Sequence, residues 1–322
     1  MYAPTPHDCW KGRVDPEDGD LGLRWHQMIQ LRNLSLPLPT IEIEGTHLMF
    51  VGFECEEGVA RNQGRLGAKE GPLFLRKAMA NFAHHLPAHV HLYDGGTVIC
   101  GAGKLAAAQQ QLSQMIQKAH AAGYQCIVLG GGHEVAWGSF GGLVPQLSTG
   151  KKLGILNFDA HFDLRKPSKG PSSGTPFYQI ADWCTQHSHE FHYLCWGIQP
   201  MGNTQALFAT AQELPTDYLT MPRLAEMTTQ AQILYLNRFL AEIDHLYLSI
   251  DLDGFDVAYA PGVSATNVGG LVPQKVFPLL RLIAQSGKLV LVDVAELNPT
   301  YDIDGKTAKL GARCLWELIQ HR

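Results

Sequence analysis

"LGILNFDAHFDLR", residues 153–165, joins an apolar run to a cluster of polar groups. Leu153 to Leu156 read as part of a buried strand. Asp159, His161 and Asp163 then follow at i, i+2, i+4 spacing. Side chains two apart in extended backbone face the same way, so this spacing predicts two carboxylates and an imidazole on one side of a strand end. Charged groups avoid apolar surroundings unless something compensates them.

The same arrangement recurs elsewhere. Apolar runs begin at His47 ("HLMFVGF"), Tyr124 ("YQCIVLG"), Phe191 ("FHYLCWGI"), His245 ("HLYLSID") and Lys288 ("KLVLVDV"). Between them lie stretches with helical character, such as "GPLFLRKAMANFAHHL", "AAAQQQLSQMIQKAHAAG" and "VPQKVFPLLRLIAQSG", the last two closed by glycine. Strand and helix in alternation predict a single-domain three-layer α/β/α fold with a mostly parallel central sheet. Strands covered on both faces are apolar throughout. Residues 1–44 are Pro-rich and irregular and read as an N-terminal extension packed on the domain, leaving 45–322 as the domain itself.

The chain has 322 residues, 45% hydrophobic and 17% charged, with a formal net charge of -5. That balance gives no reason to expect nucleic acid as a partner. Neither a transmembrane run nor a signal peptide is read, so no membrane is expected. Seven cysteines are scattered without a C-x-x-C pair, a reduced, cytoplasmic pattern.

In open parallel sheets, ligands bind beyond the carboxyl ends of the strands. Four strand ends place candidates there: His133 in "GGGHE", then Asp159, His161 and Asp163, then Asp251 and Asp253 in "DLDGFD", then Glu296 in "AELNP". Four aspartates crowded together repel, and two divalent cations would balance them. Carboxylates with imidazoles suit Mn, Fe, Co or Zn, and an oxygen-rich set with two histidines leans toward Mn. Blander readings exist for each piece alone. "GGGHE" could cradle a phosphate, a D-x-D pair could be a turn, and "HSHEFH" (187–192) reads as a solvated loop despite its histidines. The metal reading rests on their joint occurrence at strand ends.

"GGGHE", "NFDAHFD", "SIDLDGFDVAYAPGVSA" and "VDVAELNP" resemble the four motifs of the arginase–agmatinase (ureohydrolase) family, over roughly residues 45 to 320. "NQGRLGAKEGP" (62–72), "DAHFDLR" and "PSSGTPFYQI" (171–180) resemble the branch of that family that hydrolyses N-formimidoyl-L-glutamate to L-glutamate and formamide in histidine degradation. The resemblance implies two Mn2+ ions per subunit. His133 and Asp163 would ligate one, His161 and Asp253 the other, and Asp159 and Asp251 would bridge both. A hydroxide bridging the ions would attack the amidine carbon, with Asp163 relaying its proton and Glu296 pairing with the cationic amidine. Arginases and agmatinases carry a His before the Gly of their H-G motif, where this chain has Ser173 before Gly174. That departure argues against arginine or agmatine and counts Ser173 among the substrate-binding candidates. The substrate's two carboxylates need cations, for which Arg165 and Arg65 are the candidates. Relatives in the family form trimers or hexamers, so a homo-oligomer is implied. The alternatives are another ureohydrolase, a dinuclear metallophosphoesterase, or a metal-binding scaffold without activity.

Overall fold

The computed structural model describes residues 1–39, 41, 43–147 and 150–322. Among them, ten strands form one sheet: β1 (Tyr2–Ala3), β2 (Gln30–Leu31), β3 (Thr46–Glu54), β4 (Val90–Ile99), β5 (Gln125–Leu129), β6 (Leu153–Phe158), β7 (His192–Ile198), β8 (Thr216–Thr220), β9 (His245–Asp251) and β10 (Leu289–Ala295). Their order is β1-β4-β3-β5-β10-β9-β6-β7-β8, with β2 also paired to β4. Every pairing is parallel except that of β1 with β4.

Each predicted apolar run forms a strand, and the reason is visible in the core. Leu48 and Phe50 of β3 pack into one buried cluster, while Met49 and Val51 pack into another. The two clusters lie on opposite faces, because alternate residues of a strand point oppositely. Helices Gly71–Ala80, Pro273–Gln285 and Lys306–Gln320 cover the first face. Helices Leu105–Ala121, Val135–Leu147 and Pro176–Gln186 cover the second. This is the three-layer α/β/α arrangement expected.

Beside the two-residue β1 and β2, two longer strands escape the pattern. β4 carries Asp94, Gly95 and Gly96 in its middle, which break the apolar run. Asp94 is fully buried and accepts from Arg76 Nε (2.7 Å), Trp10 Nε1 (2.7 Å) and Thr5 Oγ1 (2.6 Å). β8 is a short edge strand, "TDYLT", with only Leu219 buried. Residues of the N-terminal 44 do more than lie on the surface. β1 and β2 extend the sheet, and Trp10 and Trp25 sit in the core.

Candidate metal centre and its cavity

β5, β6, β9 and β10 are consecutive neighbours in the sheet, ordered β5-β10-β9-β6. Their carboxyl ends therefore deliver His133, Asp159, His161, Asp163, Asp251, Asp253 and Glu296 to one place. All seven line a cavity of about 320 Å3 apart from Asp159, which lies buried beneath it.

Strand alternation is not what makes the aspartates converge, contrary to the expectation. β6 ends at Phe158, so Asp159 to Asp163 lie on the loop beyond it. Asp163 has φ +49°. Asp251 closes β9, but Asp253 sits in a 3-10 turn, Leu252–Gly254, whose amide donates to Asp251 Oδ1 at 2.8 Å. Loop geometry therefore aims these ligands. Five described non-glycine residues adopt positive φ, and Gln63, Asp163 and Glu296 among them line this cavity. Backbone strain of this kind is held where the surroundings over-determine it, commonly at functional sites. Gly131 shows how close the packing is: a Cβ there would stand 1.9 Å from the Cys55 carbonyl oxygen.

His133 Nδ1 lies 2.9 Å from an oxygen of Asp163, 2.9 Å from Asp251 and 3.2 Å from Asp159. None of these contacts has hydrogen-bond geometry, and the nitrogen is buried without a hydrogen-bond partner. His161 Nδ1 lies 3.3 Å from Asp253 and 3.5 Å from Asp159. Asp253 Oδ1 is also buried and unpartnered. Two sets of donors follow, His133 with Asp159, Asp163 and Asp251, and His161 with Asp159 and Asp253. Asp159 belongs to both sets and Asp251 to the first. Buried and half-buried carboxylates and imidazoles that converge without side-chain hydrogen bonds to one another suit shared divalent cations. The residues present fit the two ions that the family resemblance implies.

The protonation pattern has the same origin. Burial, and after it the charge of Asp159, pushes Asp163 up to about 6. Burial likewise raises Asp251, Asp253 and Glu296. Burial alone would lower His133 and His161, but the surrounding aspartates, Asp251 and Asp253 foremost, hold both well above the usual imidazole value. Without a cation, protons do the work of compensating these charges.

Outer groups fix the ligands. His133 Nε2 meets Ser249 Oγ at 2.9 Å, and Ser249 Oγ donates to Asp293 Oδ1 at 2.6 Å. Because the hydroxyl proton goes to Asp293, Ser249 accepts from Nε2, which leaves Nδ1, the nitrogen facing the aspartates, with its lone pair free for a cation. Asn157 Nδ2 donates to Asp159 Oδ2 at 2.8 Å. Asn203, on the cavity wall, donates to Ala160 O and accepts from Phe162 N, so it braces the loop on either side of His161. The sequence reading did not single out Ser249, Asp293, Asn157 or Asn203. Asp293 carried a usable signal, being a carboxylate inside the core run "KLVLVDV".

The substrate candidates divide. Glu296 Oε1 accepts the His133 amide at 2.9 Å, while its buried Oε2 has no partner. Arg165 is exposed, lines the cavity, and has no ion pair among the described residues. Arg65 also lines it, but its Nε and Nη2 donate to Ser264 O (2.9 Å) and Val263 O (2.6 Å), and its guanidinium stacks 4.0 Å over Tyr301. Ser173 is buried on the cavity wall. The histidines of 187–192 belong to none of the metal-ligand sets. His187 and His189 stack on Trp183, and His192 pairs with Glu190.

The chain belongs to the arginase family, whose sequence profile matches residues 46–320. It is 45% identical to formimidoylglutamase of Aeromonas salmonicida over 99% of both chains, and 43% identical to that of Vibrio vulnificus over 96% of this chain and 93% of the relative. Among solved structures it resembles formimidoylglutamase from Bacillus subtilis, with a TM-score of 0.76 and 22% identity over 90% of this chain and 91% of that one. It also resembles Trypanosoma cruzi formiminoglutamase with Mn2+, with a TM-score of 0.75 and 24% identity over 86% and 93%. The likeness read from the motifs is thereby borne out for the family and for an enzyme of it. No helix among the described residues is long and apolar enough to cross a membrane.

Proposed function

We propose that this enzyme hydrolyses N-formimidoyl-L-glutamate to L-glutamate and formamide, a step of histidine degradation in the cytoplasm, with two Mn2+ ions held by His133, Asp159, His161, Asp163, Asp251 and Asp253. The observation that carries the reading is a single cavity joining five of those six residues, all but Asp159 beneath it, with the unpartnered Glu296 oxygen and with Arg165, which has no ion pair among the described residues. Bound there, the ions would compensate the buried carboxylates and make a water nucleophilic near neutral pH.

The chain's own residues supply the rest. Glu296 Oε2 pairs with the protonated amidine and turns its carbon toward the ligand cluster, a charge-assisted contact. Glu296 Oε1 stays on the His133 amide, so the carboxylate cannot swing away. The Asp163 carboxylate takes the proton of the attacking water and returns it to the departing nitrogen. Formamide keeps the amidine carbon and the water's oxygen, and glutamate leaves as its ammonium form. Arg165 receives a carboxylate at the far end of the substrate.

Turnover of Mn-loaded protein on formimidoylglutamate, arginine, agmatine and guanidinobutyrate tests this. Glutamate and formamide should form with kcat/KM at least about 100-fold above arginine's, about 2.7 kcal/mol. Equal or greater urea release from any of the guanidines would overturn it in favour of another ureohydrolase.

A further inference from the structure

Cys55 and Cys100 stand just past the carboxyl ends of two neighbouring parallel strands. The β3–β4 register pairs Glu54 with Ile99, and the Cys100 amide donates to the Glu54 carbonyl at 3.0 Å. The next residue on each chain is a cysteine, so the two follow side by side. Paired strands lie about 4.7–4.9 Å apart, inside the Cα separation of about 4.4–6.8 Å that a disulfide spans. Both side chains pack on the same face of the sheet. Both also line a cavity of about 260 Å3 that is separate from the metal-ligand cavity. Cys55 is buried and Cys100 partly exposed. The Cys100 neighbour, with burial second, pushes the Cys55 thiol up, Cys55 in turn lowers the Cys100 thiol, and Cys100 Sγ lies 3.5 Å from the Gly101 carbonyl oxygen. A partly exposed thiol beside a buried partner is the arrangement that thiol–disulfide exchange uses.

Cys55 is also packed against the loop that carries His133. Its carbonyl accepts the Gly132 amide at 3.0 Å. Gly131 has no room for a side chain against it. A displacement of Cys55 therefore reaches residues 131–134 directly.

We propose that Cys100 and Cys55 form a reversible dithiol–disulfide couple, oxidised by low-molecular-weight disulfides, whose state sets how well the neighbouring loop holds His133 as a metal ligand. The Cys100 thiolate attacks one sulfur of the external disulfide, giving a mixed disulfide and releasing one thiol. Cys55 gives up its proton to solvent and attacks the Cys100 sulfur, releasing the second thiol. Two protein thiols are oxidised and one external disulfide is reduced. Bond formation draws the sulfurs to about 2.05 Å, pulling Cys55 toward β4 and away from the Gly131–Glu134 turn.

The couple does not depend on the substrate proposed above, and thiol mapping reads it without turnover. Purified full-length protein is equilibrated in glutathione mixtures of increasing oxidation, its free thiols are alkylated, and its peptides are mapped. A Cys55–Cys100 crosslink should form and be reversed by dithiothreitol, with the other five cysteines alkylated as before. Mn2+ titration of each form should show at least ten-fold weaker binding by the oxidised one. C100S should retain the reduced form's Mn2+ affinity and lose the response to oxidised glutathione. Failure of folded protein to form the crosslink in oxidised glutathione overturns the couple. A crosslink that leaves Mn2+ affinity unchanged overturns its coupling to His133.

Discussion

Glu296 accepts the backbone amide of His133 at 2.9 Å through one oxygen and keeps the other buried with no partner. One contact locks a carboxylate beside a candidate metal ligand, and the remaining oxygen is left for a cation from outside. Glu296 is buried among other acids, and its backbone is left-handed at φ +64°. Both features cost stability, and a protonated amidine would relieve the electrostatic one. Glu296→Gln keeps the shape and removes the charge. A hydrogen bond to a charged group contributes about 1.5–3 kcal/mol, so kcat/KM on formimidoylglutamate should fall about 10- to 150-fold. Mn content, read by elemental analysis, should not change. Wild-type turnover in this variant would remove Glu296 from the substrate site.

Asp159 stands in both donor sets, Asp251 in the first only. Asp159→Asn should therefore deplete both ions, whereas Asp251→Asn should deplete one more than the other. Both variants should lose activity while circular dichroism shows the fold retained. Equal metal content in the two would contradict the division of donors, and full occupancy in both would contradict the site.

Asp293 acts through Ser249 on His133 rather than touching the cavity. Partners of this kind typically change metal affinity or activity by about 10- to 100-fold. Asp293→Asn should weaken Mn2+ binding within that range. Tyr247 also donates to Asp293, so Tyr247→Phe should shift affinity less while leaving the Ser249 contact intact. An Asp293→Asn protein that is folded and binds Mn2+ as wild type does would mean that the relay does not orient His133.

Much of this was legible in the sequence, for a physical reason. Strands buried on both faces are apolar along their length, so β5, β6, β9 and β10 announce themselves, and ligands must follow where the apolar run stops. β4 was not legible because Asp94 interrupts it. Only the folded chain shows that Arg76, Trp10 and Thr5 satisfy that carboxylate. The convergence of Asp159, His161 and Asp163 was read correctly from the wrong geometry, since a left-handed residue in a loop has no signature in i, i+2 spacing. Arg65 and Arg165 look alike in sequence. Their difference lies in partners nearly 200 residues away, at Val263 and Ser264.

Removing the metal should make stability depend on pH with a definite sign. Asp163 is held up at about 6 against an ordinary 3.8, and Asp251, Asp253, Glu296, His133 and His161 are raised too. Asp159, lowered by its imidazole neighbours despite burial, runs the other way. On balance the folded, metal-free site holds more protons than the unfolded chain. Its stability contribution is therefore present at low pH and lost as pH rises, for Asp163 between the ordinary aspartate value and about 6. Mn2+ competes with those same protons, so its binding strengthens as pH rises. The Tm difference between Mn-loaded and chelator-treated protein should widen from about pH 5 to about pH 8. A gap that is flat or narrows over this range would show that protons do not compensate the metal-free cluster.

Arg165 is the residue assigned to the carboxylate of the proposed substrate. Its backbone amide donates to the Gly174 carbonyl at 2.9 Å, which ties the end of the "DAHFDLR" loop to the segment carrying Ser173. A Cβ on Gly174 would stand 3.0 Å from Arg165 Cδ, so the side chain runs tightly past that glycine into the cavity. No carboxylate of the described residues pairs with its guanidinium, unlike Arg61, which pairs with Glu57. The proposed substrate carries two carboxylates, and a cation left unpaired on the cavity wall is placed to bind one of them. Arg165→Ala should lower kcat/KM on formimidoylglutamate by about 10- to 150-fold, from the loss of about 1.5–3 kcal/mol. Mn content and Tm should stay as in wild type, because among the described residues the side chain makes no hydrogen bond or ion pair and belongs to neither donor set. Arg65→Ala is the contrasting variant. It removes two hydrogen bonds to the Val263–Ser264 segment and the stack on Tyr301, so it should lower Tm as well as activity. If Arg165→Ala lost stability or metal, the side chain would be structural after all. If it kept full activity while Arg65→Ala lost activity at unchanged Tm, the carboxylate contact would belong to Arg65.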